Sequence, residues 1–355
     1  MRVPPADKAT LRMALGLGVA TLVAYGGGFD MPFALCVMAV LVLSKPGSPM
    51  GLVKGAIAAL VVAGVLTLGL LMVPLLENFA APAILATAVV LFAVFYQGRR
   101  RPGPLTMIMV MTFALIPVIG VAEQAAASAI AVTLAAGVLI GSSVSVVSHA
   151  LFPDPPVLAA PRANTGTPAF DSEQARWIAL RATLIVMPVF VLALVNPSVY
   201  VAAIMKTVAL GQQAGETDAR SAGGELVGST LMGAAIALGV WCGLSLLPNL
   251  WLLTLWLMAA ALWAASAMYG TRRSRRGPSY WNNALITSLI LLGPAIEDSA
   301  NGKSVLLASA VRAGLFVAVA LYAWATVWLL ERWRRRSDLC TCFSPSAANG
   351  TQARI

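Results

Sequence analysis

The chain has 355 residues, of which 59% are hydrophobic and 11% are charged, and its formal net charge is +10. A soluble domain is about half apolar and about a quarter charged, so this composition excludes an ordinary soluble protein. The apolar runs are long and lack the alternation of barrel strands, so we predict an α-helical membrane protein. The basic residues fall in short loops between these runs, which argues against nucleic-acid binding.

The first half of the chain, residues 1–152, is predicted to cross the membrane six times. Crossing a hydrocarbon core of about 30 Å takes about 20 apolar residues. The apolar runs lie at residues 9–28, 31–44, 52–76, 79–97, 104–122 and 124–151. The first run has a basic start but lacks a convincing cleavage site, so we interpret it as an uncleaved span.

A proline-rich segment, residues 153–175, follows and is predicted to be a cytoplasmic linker. The second half, residues 176–336, is predicted to contain six more spans. Its apolar runs lie at residues 176–194, 198–211, 226–247, 250–270, 280–296 and 303–330. Residues 337–355 are predicted to form a disordered cytoplasmic tail. Cys340 and Cys342 in this tail lack the second pair of ligands that a zinc site would need.

The two halves resemble each other in sequence. Leu-Arg pairs at Arg12 and Arg181 open them, and Pro74 and Pro248 lie near the ends of the third and ninth runs. Arginine clusters follow the fourth and tenth runs, at 99–101 and 272–276, and each pair of features is separated by roughly 170 residues. Because six spans is an even number, both halves enter from the same side. We therefore predict about twelve transmembrane helices in two parallel six-helix repeats.

Arginine and lysine gather on one side of the predicted membrane, which includes both arginine clusters and the end of the last run. The loops on the other side carry acidic residues, namely Asp30, Glu77, Glu123, Glu297 and Asp298. The positive-inside rule then predicts a multi-pass protein of the bacterial inner membrane with both termini in the cytoplasm.

The sequence contains no motif of a nucleophilic, zinc-dependent or ATP-hydrolysing enzyme, and its only histidine is His149. We therefore expect neither catalysis nor a cofactor or bound metal.

Four basic residues in or near the spans are the candidate substrate-binding residues: Lys206, Arg312, Arg12 and Arg181. A charge in the bilayer costs several kcal/mol unless it faces a partner or water. No acidic residue lies inside a predicted span, so we expect Lys206 and Arg312 to be unpaired cations that stabilise an anion. Arg12 and Arg181 lie nearer the cytoplasmic ends, where extension of the side chain to the interface is the alternative interpretation.

The second and eighth runs, 31–44 and 198–211, are both short and occupy matching positions in the two halves. Paired short spans mark the central site in many transporters. Lys206 lies in the eighth run, so this pattern also indicates a binding site there. The alternative is two ordinary helices whose ends extend beyond the apolar runs.

The opening segment Leu11-Arg12-Met13-Ala14-Leu15-Gly16, the two six-helix halves and the repeated arginine-rich loop together resemble the fusaric-acid-resistance superfamily, which includes aromatic acid exporters. The resemblance spans residues 8 to 336 and implies efflux of aromatic or other weak organic acids beside a periplasmic membrane-fusion adaptor. Larger members carry a substantial cytoplasmic domain. Because its connector is short, this chain resembles a compact branch of the family.

Charge and resemblance together favour a secondary exporter of small organic anions, driven by the proton gradient, with its site between the halves. Two alternatives stay open. A passive anion channel would use the same basic residues, and a non-transporting membrane partner of an envelope assembly would need none of them. The sequence leaves the oligomeric state open.

Overall fold

The computed structural model of the chain describes residues 4–44, 51–100, 105–153, 172–216, 222–300 and 305–342. These residues form twelve α-helices and contain no β-strand, which confirms the all-helical prediction for this part of the chain. The helices are α1 (Pro5–Gly26), α2 (Pro32–Leu43), α3 (Leu52–Asn78), α4 (Ala80–Arg100), α5 (Leu105–Ala122), α6 (Gln124–Leu151), α7 (Ser172–Val195), α8 (Pro197–Glu216), α9 (Ala222–Leu246), α10 (Leu250–Met268), α11 (Pro278–Ala300) and α12 (Val305–Cys342).

Eight of the described helices are long and apolar enough to cross a membrane: α1, α3, α4, α6, α7, α9, α10 and α12. Large apolar side chains on the outer helices face outward, with Leu60, Leu71 and Leu85 at least two-thirds exposed. Water solvates such an apolar surface poorly, whereas lipid tails solvate it well. The chain therefore has the architecture of a multi-pass α-helical membrane protein.

Three helices differ from the predicted runs. Helix α8 does not stop near residue 211 but continues to Glu216, so it is not a short segment, whereas α2 is, with 12 residues. Helix α12 continues to Cys342, so residues 337–342 are helical rather than disordered. The rest of the predicted tail, and residues 154–171 of the predicted linker, lie outside the described residues. Helix α11 extends past residue 296 and contains Glu297 and Asp298.

Two hydrogen bonds near the helix ends show which ends lie on the same side of the bundle. The Lys8 Nζ atom donates to the carbonyl of Pro153 at 2.6 Å, so the start of α1 lies beside the end of α6. The Tyr269 hydroxyl, just after α10, donates to the carbonyl of Leu43 at the end of α2. We call this end of the bundle, which carries Arg100 and the arginines of residues 272–276, the basic end. The opposite end carries Glu77, Glu123 and Asp298 and is called the acidic end.

Helices α2 and α8 form the interior of the bundle. Every residue from 33 to 40 in α2, and from 202 to 211 in α8, is buried. Helices from early and late parts of the chain pack directly on each other around them: α1 on α10, α4 on α7, α2 on α11 and α5 on α8. The hydrophobic core is therefore continuous from one half of the chain to the other.

Candidate functional site

The side chain of Lys206 is fully buried in the middle of α8. Its Nζ atom donates to the Thr287 hydroxyl at 2.6 Å and to the Asn283 side-chain carbonyl at 3.3 Å. Asn283 and Thr287 are four residues apart on α11, so a single face of that helix presents both oxygens to Lys206. The packing of α8 on α11 thus holds the amine at one defined position.

The hydrogen-bonded network continues from Lys206 toward the basic end. The Asn283 amide nitrogen donates to the Ser229 hydroxyl at 2.7 Å, and that hydroxyl lies 3.5 Å from the side-chain carbonyl of Gln213. All these side chains are buried, with at most 5% of their surface exposed. The network therefore links α8, α9 and α11 by polar contacts inside an otherwise apolar bundle.

The acceptors around Lys206 are neutral. Its two hydrogen bonds go to a hydroxyl and to an amide carbonyl, and no carboxylate among the described residues forms an ion pair with it. A buried charge without a counterion is costly, and neutral dipoles compensate it only in part. A negative charge close to the ammonium form of this side chain would reduce that cost.

A cavity of about 310 Å³ lies between this network and the basic end. Asn283 and Gln213 of the network form part of its wall, and Ser44, Ser279 and Asn282 line it near the ends of α2 and α11. The side-chain oxygen of Asn282 is buried, and no described residue forms a hydrogen bond with it. The wall thus offers both hydrogen-bond donors and acceptors beside apolar side chains such as Leu41 and Met268.

On the other side of Lys206, toward the acidic end, helices α2 and α11 are in close contact. A Cβ atom added at Gly293 would overlap with the Phe33 ring. The Phe33 side chain is itself buried. Gly293 is six residues beyond Thr287, or about 9 Å along α11. Between these two helices the interior is therefore tightly packed toward the acidic end, whereas the cavity of about 310 Å³ lies toward the basic end.

Arg312 belongs to a different level of the bundle. Its guanidinium forms an ion pair with Asp298 at 2.5 Å, and the two side chains are 21% and 11% exposed. The expectation that Arg312 is an unpaired cation is therefore wrong. Because Asp298 continues α11 instead of lying in a loop, its carboxylate can reach α12. Asp298 is eleven residues, or about 16 Å, from Thr287 along α11, so the structure does not bring Arg312 to Lys206.

Arg12 on α1 and Arg181 on α7 are both buried near the basic end. The Arg12 Nε atom donates to the carbonyl of Lys8 one turn earlier, at 3.4 Å. Neither arginine lines the cavity beside Lys206. The structure thus joins only Lys206, of the four predicted residues, to this cavity, through Asn283.

Sequence analysis did not identify the partners of Lys206. The candidate residues from the sequence do not include Asn283, Thr287, Ser229 or Gln213. The usable signal was the spacing of Asn283 and Thr287, which places two polar groups on one face of an apolar helix. No cluster of three potential metal ligands occurs among the described residues.

Comparisons with protein-family models, with curated proteins and with solved structures find no match to this chain. The resemblance to the fusaric-acid-resistance superfamily therefore stays a prediction from sequence motifs.

Proposed function

We propose that this protein exports small organic anions, such as aromatic or other weak acids, across the bacterial inner membrane. The observation that carries the proposal is Lys206, a fully buried amine whose acceptors among the described residues are neutral. Its partner Asn283 lines a cavity at the basic end that has both polar and apolar walls. An amine in this setting interacts more favourably with a carboxylate than with a cation or a neutral solute.

The proposal includes the orientation and the repeat. The basic end would face the cytoplasm, with both termini there, because short cytoplasmic loops collect arginine and lysine. All twelve helices would cross or enter the membrane as two six-helix repeats. In support, the helix contacts come in matching pairs: α1 with α10 as α7 with α4, and α2 with α11 as α8 with α5.

In this scheme an anion enters the cavity from the cytoplasm, where Arg12 and Arg181 raise the local positive potential. A cavity of about 310 Å³ is at the small end of ligand pockets, which suits a compound with one aromatic ring. The anion would bind Asn283 and then Lys206. Release toward the acidic end would require the Phe33–Gly293 contact to separate, with Arg312 as a further basic group on that side.

The proton gradient would supply the energy, with the weak acid itself able to carry the proton. A periplasmic membrane-fusion adaptor would bind at the acidic end and accept the exported compound. The energy source and the adaptor are proposed from the family resemblance and from the chemistry of weak acids rather than from a particular contact.

Transport in everted inner-membrane vesicles would test the proposal, because an exporter moves its substrate into such vesicles. The probes are radiolabelled benzoate, 4-hydroxybenzoate and cinnamate, with a proton gradient imposed. For an exported probe, we expect Lys206→Met to lower the initial rate at least tenfold and Lys206→Arg to retain part of it. Lys54→Met, which removes an exposed lysine at the start of α3, should transport normally. Normal transport by folded Lys206→Met would refute the site.

A passive anion channel is the second candidate. The neutral partners of Lys206 favour it, because no carboxylate among the described residues pairs with this amine and could take part in proton coupling. Steady anion-selective currents in a planar bilayer, without an imposed proton gradient, would select the channel. If Lys206→Met leaves both flux and currents unchanged while a cellular phenotype persists, the remaining alternative is a non-transporting partner of an envelope assembly.

A further inference from the structure

A groove at the basic end, between α4, α7 and α12, combines charged, aromatic and apolar side chains. Its volume is about 510 Å³, and Phe92, Glu173, Arg176, Trp177, Leu180, Trp333 and Arg334 line it. It lies on the outer surface of the bundle, on different helices from the cavity beside Lys206. We call it the α7 groove.

We propose that the α7 groove binds the headgroup phosphate of an anionic phospholipid, such as phosphatidylglycerol, from the membrane leaflet at the basic end. The proposal needs the chain to lie in a membrane but does not depend on export.

Charge supplies the first argument. Arg176 and Arg334 contribute two positive charges to the groove and Glu173 contributes one negative charge, so the lining carries a net charge of about +1 near neutral pH. Neither arginine forms an ion pair with a described carboxylate. A phosphodiester carries one negative charge, and planar guanidinium groups bind phosphate oxygens through paired hydrogen bonds.

Hydrogen bonding supplies the second argument. The indole nitrogen of Trp177 is buried, yet it has no hydrogen-bond partner within the described part of the chain. The Arg334 guanidinium lies 5.9 Å from the centre of the same indole ring. A small rotation of the indole ring would bring this N–H to the groove, where an oxygen acceptor could bind it and Arg334 together. Buried indole N–H groups usually have such a partner.

The apolar part of the lining identifies a lipid rather than a soluble phosphate. Leu180 and Phe92 form the side of the groove that leads toward the bilayer, and exposed Leu184 continues the apolar surface by one turn of α7. The Tyr322 hydroxyl donates to the carbonyl of Leu184 at 2.7 Å and holds α12 against α7 at this depth. Tryptophan and arginine above such a surface are typical of the membrane interface. An acyl chain would cover the leucines, which a free anion would leave exposed.

Native mass spectrometry of the full-length protein, titrated with phosphatidylglycerol or phosphatidylcholine, tests the proposal. We expect retention of phosphatidylglycerol over phosphatidylcholine, with a loss of about fivefold in affinity for each of Arg176→Gln and Arg334→Gln. Arg332→Gln is the matched control, since Arg332 is two residues away on α12 but contacts Trp328 instead of the groove. That control should bind phosphatidylglycerol normally.

Two further measurements keep the result independent of folding defects. Glu173→Gln removes the negative charge of the groove and should raise the affinity for phosphatidylglycerol, which a damaged protein would not do. Glycerol 3-phosphate should compete poorly, because it lacks acyl chains. Equal binding of the two lipids, unchanged binding by the Arg176→Gln/Arg334→Gln double variant, or full competition by glycerol 3-phosphate would each overturn the proposal.

Discussion

Helices α2 and α8 occupy comparable positions in the interior but have opposite chemistry. The buried stretch of α2, residues 33–40, is apolar throughout, whereas the buried stretch of α8 contains Lys206 and Thr207. Both helices pack against α11, which turns Gly293 toward α2 and Asn283 and Thr287 toward α8. One interior helix thus serves packing and the other holds a polar network. The apparent repeat in the sequence therefore does not produce two equivalent sites.

The most severe test of this comparison is to give α2 the charge that α8 carries. Val37 is fully buried among apolar neighbours, so Val37→Lys introduces an amine without acceptors. We expect destabilisation by about 3 kcal/mol or more, seen as loss of monodisperse protein in size-exclusion chromatography. Val37→Met, which keeps the position apolar, should fold. Equal yields of the two variants would show that the surroundings of α2 can accommodate a buried charge.

The second test removes the bridge in the network of α8. Asn283→Leu deprives Lys206 and Ser229 of a partner at once, and we expect a loss of about 2 to 3 kcal/mol, because buried polar groups are left unsatisfied. Adding Lys206→Met should recover part of the loss in the midpoint of thermal unfolding, since the costly amine is then absent. Additive losses in the double variant would mean that the two side chains are not coupled.

The third test concerns the close contact of α2 with α11. Gly293→Ala places a methyl group against the Phe33 ring, and overpacking of this kind costs about 1 to 2 kcal/mol. Phe33→Leu in the same protein should restore stability, as measured by thermal unfolding in detergent. Gly239→Ala, at a helical position with open space around it, is the control and should have little effect. A similar loss at both glycines would contradict the contact as the cause, because replacing a helical glycine by alanine otherwise favours the helix.

The smallest expected effect is at the ion pair near the acidic end. Arg312→Gln and Asp298→Asn should each change stability by about 1 kcal/mol, because the Arg312 side chain is 21% exposed although Asp298 is buried. The informative measurement is vesicle transport of an exported probe. If Arg312 binds the anion, Arg312→Gln will slow transport and Asp298→Asn will not. Equal slowing by both variants would assign the arginine to the ion pair alone.

Much of the fold was predictable because hydropathy reports directly on burial in lipid. The run at residues 31–44 corresponds closely to α2, since residues 31–43 are all apolar. The end of α8 was predicted too early, because Gln212 and Gln213 look like the end of a span. Gln213 instead finds Ser229 within reach on α9, so the helix continues.

The site was predictable only where a single residue carries the signal. Lys206 is conspicuous in an apolar run, but its acceptors come from α11, roughly 80 residues later. The ion pair of Arg312 with Asp298 was missed for a related reason, since a helix end and a loop cannot be told apart from composition alone. Contacts between helices that are far apart in the sequence determine which charge is compensated. The periodicity of a sequence does not reveal these contacts.

The packing of α1 on α10 has a consequence for biogenesis. The ribosome must add roughly 220 residues after α1 before α10 exists. At about 5 to 20 residues per second, α1 therefore waits tens of seconds in contact with lipid or with the insertion machinery. Assembly of the native bundle is in this respect a late, post-insertion event, and a chain truncated after α6 would leave a partner surface of α1 permanently uncovered.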